Sequence, residues 1–248
     1  MFTVRPYKGE DAAACGDCFY EGFFSCSVDQ NDKIFLRDYA QILIEKCNFT
    51  YVAETEDDQV IGFICGKYDK HFSKALAAQY ETKRHYGRWC KKFLKFFLKR
   101  YKMSAPFQKQ FDAFVRQAQE RDKEIFGKCD LELVALSSRR NYRKGLGTAL
   151  VTQFLNRAKD DGAECVRLFT NTLVSWEFYE KRGFKKVAEK LFQDGSGNQS
   201  LVYEYVLSGL CVGKKVAEAF SIVNINAADV DWVKSETFDK GDMIAHRL

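Results

Sequence analysis

The chain has 248 residues, 46% of them hydrophobic, 29% charged and only two of them proline, with a net charge of +5. That composition supports a packed core and excludes collagen-like, proline-rich and low-complexity architectures. No apolar run approaches the ~18–20 residues a bilayer span requires, and the N-terminus lacks a signal-peptide pattern, so a cytoplasmic protein is expected.

The nine cysteines are scattered, and only three histidines accompany them. Neither a disulfide framework nor a zinc spacing emerges, so the cysteines read as small core residues and no metal is expected. The charge is uneven. Residues 68–128 hold 16 Lys/Arg against 6 Asp/Glu, which leaves the rest of the chain mildly acidic. This marks an inserted element with its own task.

Phe2 to Arg5 alternates as a short strand, and helical periodicity follows over 10–24 and 32–47. Phe49–Ala53 and Val60–Gly66 are β-rich and separated by an acidic turn, a hairpin signal that expects Tyr51, Ile61 and Phe63 on one sheet face. Within the basic segment, aromatics from Tyr86 to Phe97 recur at helical spacing beside lysines. Ser104 and Pro106 then start a second stripe through Phe107, Phe111 and Phe114. A helical hairpin is the simplest reading.

A strand over 131–136 follows, then a basic loop with Arg139, Arg140, Arg143 and Lys144, then Gly145-Leu146-Gly147-Thr148 opening a helix that stops at Gly162. A strand over 165–170, a short helix carrying Val174, Phe178 and Tyr179, and a hairpin turning at 194–198 complete the pattern. About forty residues remain beyond Leu207.

A strand, a glycine-rich basic loop and a helix start together make an anion cradle. The first-turn amides lack intrahelical acceptors, the helix dipole is positive there, and glycine lets a ligand approach the backbone. The phosphate-binding pattern of Walker A and the third glycine of the dinucleotide fingerprint are both absent.

Arg143-Lys144-Gly145-Leu146-Gly147-Thr148 resembles the pyrophosphate loop of the GNAT superfamily of acyl-CoA-dependent N-acyltransferases. Phe178-Tyr179-Glu180-Lys181-Arg182-Gly183-Phe184, about 35 residues downstream, resembles the second signature of that family. Tyr142 stands three before Gly145, where the family usually has Arg or Gln, and Thr172 stands where it often has Asn, with Asn171 beside it.

The resemblance covers roughly 2–67 and 129–207. It implies an α/β fold with a mixed, twisted, splayed sheet of about seven strands flanked by helices. A helical hairpin would interrupt it between the third and fourth strands, and a C-terminal extension, 208–248, would follow an acyltransferase domain over 1–207. It further implies acetyl-CoA as co-substrate and acetyl transfer to a primary amine by direct attack in a ternary complex. Leu136, Ser137, Arg143, Lys144, Gly145, Leu146, Gly147, Thr148, Asn171, Thr172 and Tyr179 would contact the coenzyme. Tyr179 would protonate the departing thiolate, and Glu132, which alternates away from Leu131 and Leu133, is the candidate base. A core aromatic and a solvated strand residue are the competing readings of these two.

The amine acceptor, small molecule or protein, is not specified by these residues. The basic hairpin reads first as a cap over the acceptor cleft, ahead of a nucleic-acid or membrane surface. The tail, with Val216, Phe220 and Ile222, packs on its own domain or pairs with a second subunit as a homodimer. The alternative function is a coenzyme A-binding regulatory or interaction module that uses the hairpin for a partner.

Overall fold

The computed structural model describes residues 1–69, 101–121 and 123–207, together with positions 72 and 94. The strands are β1 (Phe2–Pro6), β2 (Phe49–Thr55), β3 (Val60–Tyr68), β4 (Leu131–Ser138), β5 (Cys165–Asn171), β6 (Lys185–Leu191) and β7 (Gln199–Val206). The helices are α1 (Ala12–Phe23), α2 (Gln30–Glu45), α3 (Ala105–Gln119), α4 (Lys123–Phe126), α5 (Arg143–Asp160) and α6 (Glu177–Glu180). The seven strands form one open sheet in the order β1-β2-β3-β4-β5-β7-β6, antiparallel except for the parallel pair β4–β5.

Helix α5 packs on one face of the sheet through Leu146, Leu150, Val151, Phe154 and Ala158, against Ile64, Leu131, Leu133 and Tyr203. We call this the near face. Helices α1, α2 and α3 cover the far face, where Phe19, Phe24, Phe35, Phe107 and Phe111 form an aromatic core with Phe63 and Ala135. Gly16 lets α1 and α2 meet closely, since a Cβ there would lie 2.8 Å from the Arg37 amide nitrogen.

Polar anchors fix α3 to this layer. Asp32 closes a reciprocal cap with Asp29 at the start of α2 and also accepts from the Ser104 amide at 2.8 Å and its hydroxyl at 2.6 Å. Gln110 accepts from the Ser25 and Cys26 amides. The second limb of the expected helical hairpin is therefore α3, its aromatic stripe buried against α1 and α2. The first limb, apart from Leu94, lies outside the described residues, as does the tail beyond 207.

Two bulges change which side chains share a face. Ala53 pairs with Gly62 but Glu54 pairs with Val60, so Ile61 is the extra residue in β3. That offset sets Ile61 with Tyr51 in the near core and Phe63 in the far core, correcting the expectation that all three share a face. In β4, Cys65 pairs with Ala135 and Gly66 with Leu133, which leaves Val134 as the extra residue. Leu131 and Leu133 face near, Val134 and Ala135 both face far, and Leu136 returns to the near side.

Cys15, Cys18, Cys47, Cys65 and Cys129 are buried, Cys26 and Cys165 are half-buried, and none of these seven forms a disulfide. Among the described residues no helix is long and apolar enough to cross a membrane, and no cluster of His, Cys, Asp and Glu could hold a metal ion.

Candidate active site

The two central strands part company early. β4 pairs with β5 only at Leu131↔Val166 and Glu132↔Arg167, although both strands continue for several residues beyond. The far edge of β4 from Leu133 onward thus has no ladder partner in β5, and the Val134 bulge lies just past the last pair. A strand edge with free amides, opened inside a sheet, can receive an extended ligand in place of the missing neighbour.

The basic loop sits at the mouth of this seam. After a 3-10 turn over Arg140–Tyr142, the run into α5 is interrupted at Lys144 (ψ 110°) and Gly145 (φ +78°). Only glycine takes that φ without strain, and a Cβ on Gly145 would meet nothing within 4 Å. The backbone is therefore bare where the helix begins and its first-turn amides need acceptors. The backbone geometry of the loop alone suits a diphosphate. Lys144 and Thr148 are exposed beside it, while the Leu146 side chain is fully buried in the near core, leaving only its amide to contribute. The Arg143 side chain lies outside what is described.

The second motif closes on the first. A Cβ on Gly147 would lie 2.9 Å from the Phe178 ring, so glycine is needed for α6 to rest on the first turn of α5. The Arg182 guanidinium lies 3.5 Å over Phe178 and donates to the Thr148 hydroxyl and, at 2.9 Å, to the Phe178 carbonyl. Burial holds its pKa below the ordinary arginine value. Tyr179 packs edge-on against Phe178 and Phe184, and among the described residues its hydroxyl has no hydrogen-bond partner. Burial pushes its pKa up to about 12, against the opposing pull of Arg121 and Arg182.

Glu132 is half-buried on the far face at the vertex of the seam. By register it belongs to a row of alternating charges across five strands, Lys67, Glu132, Arg167, Glu204 and Lys185. Arg167, however, turns its Nε to Glu204 at 2.7 Å and donates to the Phe126 carbonyl. No ion pair forms on Glu132 among the described residues. Desolvation raises its carboxyl pKa, partly offset by Arg121 and Lys67.

Other expected site residues are engaged elsewhere. Ser137 is buried and its hydroxyl donates to the Cys18 carbonyl at 2.7 Å, on the far face. The Asn171 side chain accepts from the Leu173 amide, and Thr172 accepts from the Gln199 amide and bonds Asn198. The Thr172 side chain thereby stitches the end of β5 to the β6–β7 turn, while Asn171 closes a local turn. Arg139 and Arg140 do not surround the glycine loop as expected. Arg139 is bidentate across Glu21 at 3.0 Å and Asp17 at 2.9 Å, and Arg140 donates to the Glu21 and Phe24 carbonyls. They pin α1 to the end of β4. Val174, expected in the short helix, precedes it and is exposed.

Residues 114–184 match the model of the acetyltransferase (GNAT) family, a span that includes both glycine-bearing motifs. Among solved structures, one from Desulfovibrio desulfuricans, described as an acetyltransferase of the GNAT family, superposes with a TM-score of 0.50 at 12% identity, covering 84% of this chain and 100% of that one. The fold is that of the GNAT superfamily. Two further structures align with lower scores. The ribosomal-protein-S18-alanine N-acetyltransferase of Escherichia coli has a TM-score of 0.46 at 13% identity over 86% of this chain and 97% of its own. An N-acetyltransferase of Staphylococcus aureus Mu50 has 0.44 at 13% over 84% and 99%. No curated protein matches the sequence.

Two residues beside the seam escape the sequence pattern. Arg182 lies inside the second motif, and its role depends on a stacking geometry that no spacing reveals. Arg121 comes from the insertion, outside the motifs. The acid partners of Arg139, by contrast, had a legible signal: Asp17 and Glu21 stand four apart on α1 and so share a helix face.

Proposed function

We propose that this chain is an acetyl-CoA-dependent N-acetyltransferase acting on a primary amine by direct attack in a ternary complex, with residues 1–207 as its acyltransferase domain. The observation that carries the reading is the seam. β4 and β5 separate after Glu132 and Arg167, and the bare start of α5 stands at the opening.

In this reading the amides from Lys144 to Thr148 hold the diphosphate of the co-substrate. The pantetheine arm runs along the unpaired edge of β4 past Leu136 and Ser137. An amide at the Val134 bulge polarises the thioester carbonyl, a type of contact worth about 2.7–4 kcal/mol of barrier when removed. Glu132 accepts the ammonium proton, directly or through water, and its raised carboxyl pKa makes it a better base than an exposed glutamate.

The amine lone pair then attacks the carbonyl carbon, and the carbonyl π pair moves to oxygen. As that pair returns, the C–S bond breaks, its electrons leave with sulfur, and the nitrogen's extra proton passes to solvent, leaving the neutral amide. Tyr179, held as a neutral phenol by burial, gives its proton to the thiolate and regains one from solvent. Desolvation favours the neutral form of the thiol as well, so both partners shift in the same direction.

Thiol release from acetyl-CoA across a panel of amines tests this. Acceptor-dependent turnover should occur, and Tyr179→Phe should lower kcat by about 10²-fold with coenzyme affinity kept. Tight coenzyme A binding without acceptor-dependent turnover would instead favour a binding module. The local engagement of Asn171 and Thr172 is the observation on that side.

A further inference from the structure

The end of α3 crosses the far face of the sheet. The Glu120 carboxylate accepts from the Gln193 amide at 2.9 Å, tying the helix end to the β6–β7 turn. Phe126, a few residues on, stacks on Phe169 of β5 at 4.5 Å. Between these anchors Arg121 is exposed, with its guanidinium 6.0 Å over the Phe169 ring. Phe169 is two residues past Arg167, the last β5 residue paired to β4. Period-two alternation puts it on the same far face as Arg167, where the strands have begun to part.

Arg121 thus lies beside the opening, on the side away from α5. Among the described residues its side chain forms no ion pair or hydrogen bond. Its charge reaches both sides of the seam, lowering the pKa of Glu132 on β4 and of Tyr179 beyond β5. An exposed guanidinium resting on an aromatic face keeps its N–H fork free for an incoming anion.

We propose that Arg121 is a specificity-determining residue that selects an amine acceptor carrying a carboxylate. The inference rests on the seam being the acyl-transfer site. With the diphosphate held at the start of α5, the amine approaches from the far face, where Glu132 also stands. A carboxylate on the acceptor then meets Arg121 while its amine meets the thioester. The carboxylate belongs to a free amino acid or to an acidic residue near a peptide N-terminus.

The test uses the full chain with acetyl-CoA and ω-amino carboxylates from glycine to 6-aminohexanoate, each against the n-alkylamine of equal carbon number. A second arm uses dipeptides with Asp or Glu against Ala at the second position, and identifies which source is used. The wild type should favour one carboxylate-bearing member by about tenfold or more in kcat/KM. Arg121→Met should abolish that preference and Arg121→Lys should restore part of it. Each is read as the kcat/KM ratio of a carboxylate to its matched alkylamine, in which the effect of the lost charge on Glu132 and Tyr179 is common to both substrates and cancels. An equal preference in wild type and Arg121→Met, or a wild-type preference for the neutral amine, overturns the proposal.

Calorimetric titration of the coenzyme A-loaded protein with the same carboxylates separates this failure from failure of the acyl-transfer reading. Arg121-dependent binding without turnover sinks the reaction but keeps the anion site. Turnover without Arg121 dependence does the reverse, and absence of both removes the two together.

Discussion

The two edges of β4 differ sharply. One edge pairs with β3 from Tyr68↔Leu131 to Gly62↔Ser138 with a single bulge; the other pairs with β5 for two residues and stops. The β3 edge is backed by α5 on the near face and α1 on the far face, with no room for extra atoms at Gly62 or Gly66. The β5 edge is bordered by glycine backbone and, among the described residues, by a phenol without a hydrogen-bond partner and a carboxylate without an ion pair. In the proposed reading one strand supplies cohesion along one side and chemistry along the other, and substitutions on the two sides should separate stability from turnover.

The largest expected effect is on the open edge. Glu132→Gln should lower kcat by about 10²-fold, because general-base assistance is lost. Stability should hold or rise. Glu132 titrates above its unfolded value, so the native state holds a proton that the unfolded chain releases between the two pKa values. Stability therefore falls as pH rises through that interval, and the glutamine variant is spared the loss. Urea melts at pH 4 and pH 7 check the sign. In kcat/KM, the acid limb of the wild type should lie above the ordinary glutamate pKa and be absent from the residual activity of the variant.

The closed edge should respond the other way. A Cβ on Gly66 would lie 2.5 Å from the Phe154 ring, which is fully buried beneath β3. Gly66→Val should cost about 1–3 kcal/mol of stability by overpacking, seen as a lower urea midpoint. Coenzyme affinity of the folded fraction should stay within about twofold, a change worth less than half a kcal/mol. A large affinity loss at unchanged stability would mean that the two edges are not independent.

What could be read in advance follows the same division. The strands and helices were legible because alternation and the 3.6-residue period are local, and the two motifs because glycines beside a strand end carry a backbone meaning. The bulges at Ile61 and Val134 were not, since an extra residue is defined only against the partner strand. The bulge in β3 is why Phe63 faces away from Ile61. The arginines at 139 and 140 were misassigned because charge near a glycine loop suggests phosphate, whereas their guanidiniums are satisfied by α1. Nothing in the spacing of Arg121 distinguished it from fifteen other cations in the same basic segment.

The smallest effect should come from the lip that joins the two motifs. Arg182 bridges α6 to the first turn of α5 through Thr148, and its guanidinium stacks on Phe178. Arg182→Met removes the donors and the cation while keeping an apolar stem on the ring. The cation–π contact of the half-buried Arg182 is worth about 1 kcal/mol, and the hydrogen bonds add a similar amount. The two lips should then loosen against each other, weakening coenzyme A binding about threefold to tenfold. Arg182→Lys should recover little of this, since an ammonium cannot span Thr148 and the Phe178 carbonyl while lying flat on the ring. Because the contact lies on the open side, kcat at saturating acetyl-CoA should hardly move, and the urea midpoint should fall less than for Gly66→Val. A midpoint falling as far as for Gly66→Val would show that the lip is part of the load the closed edge was thought to carry alone.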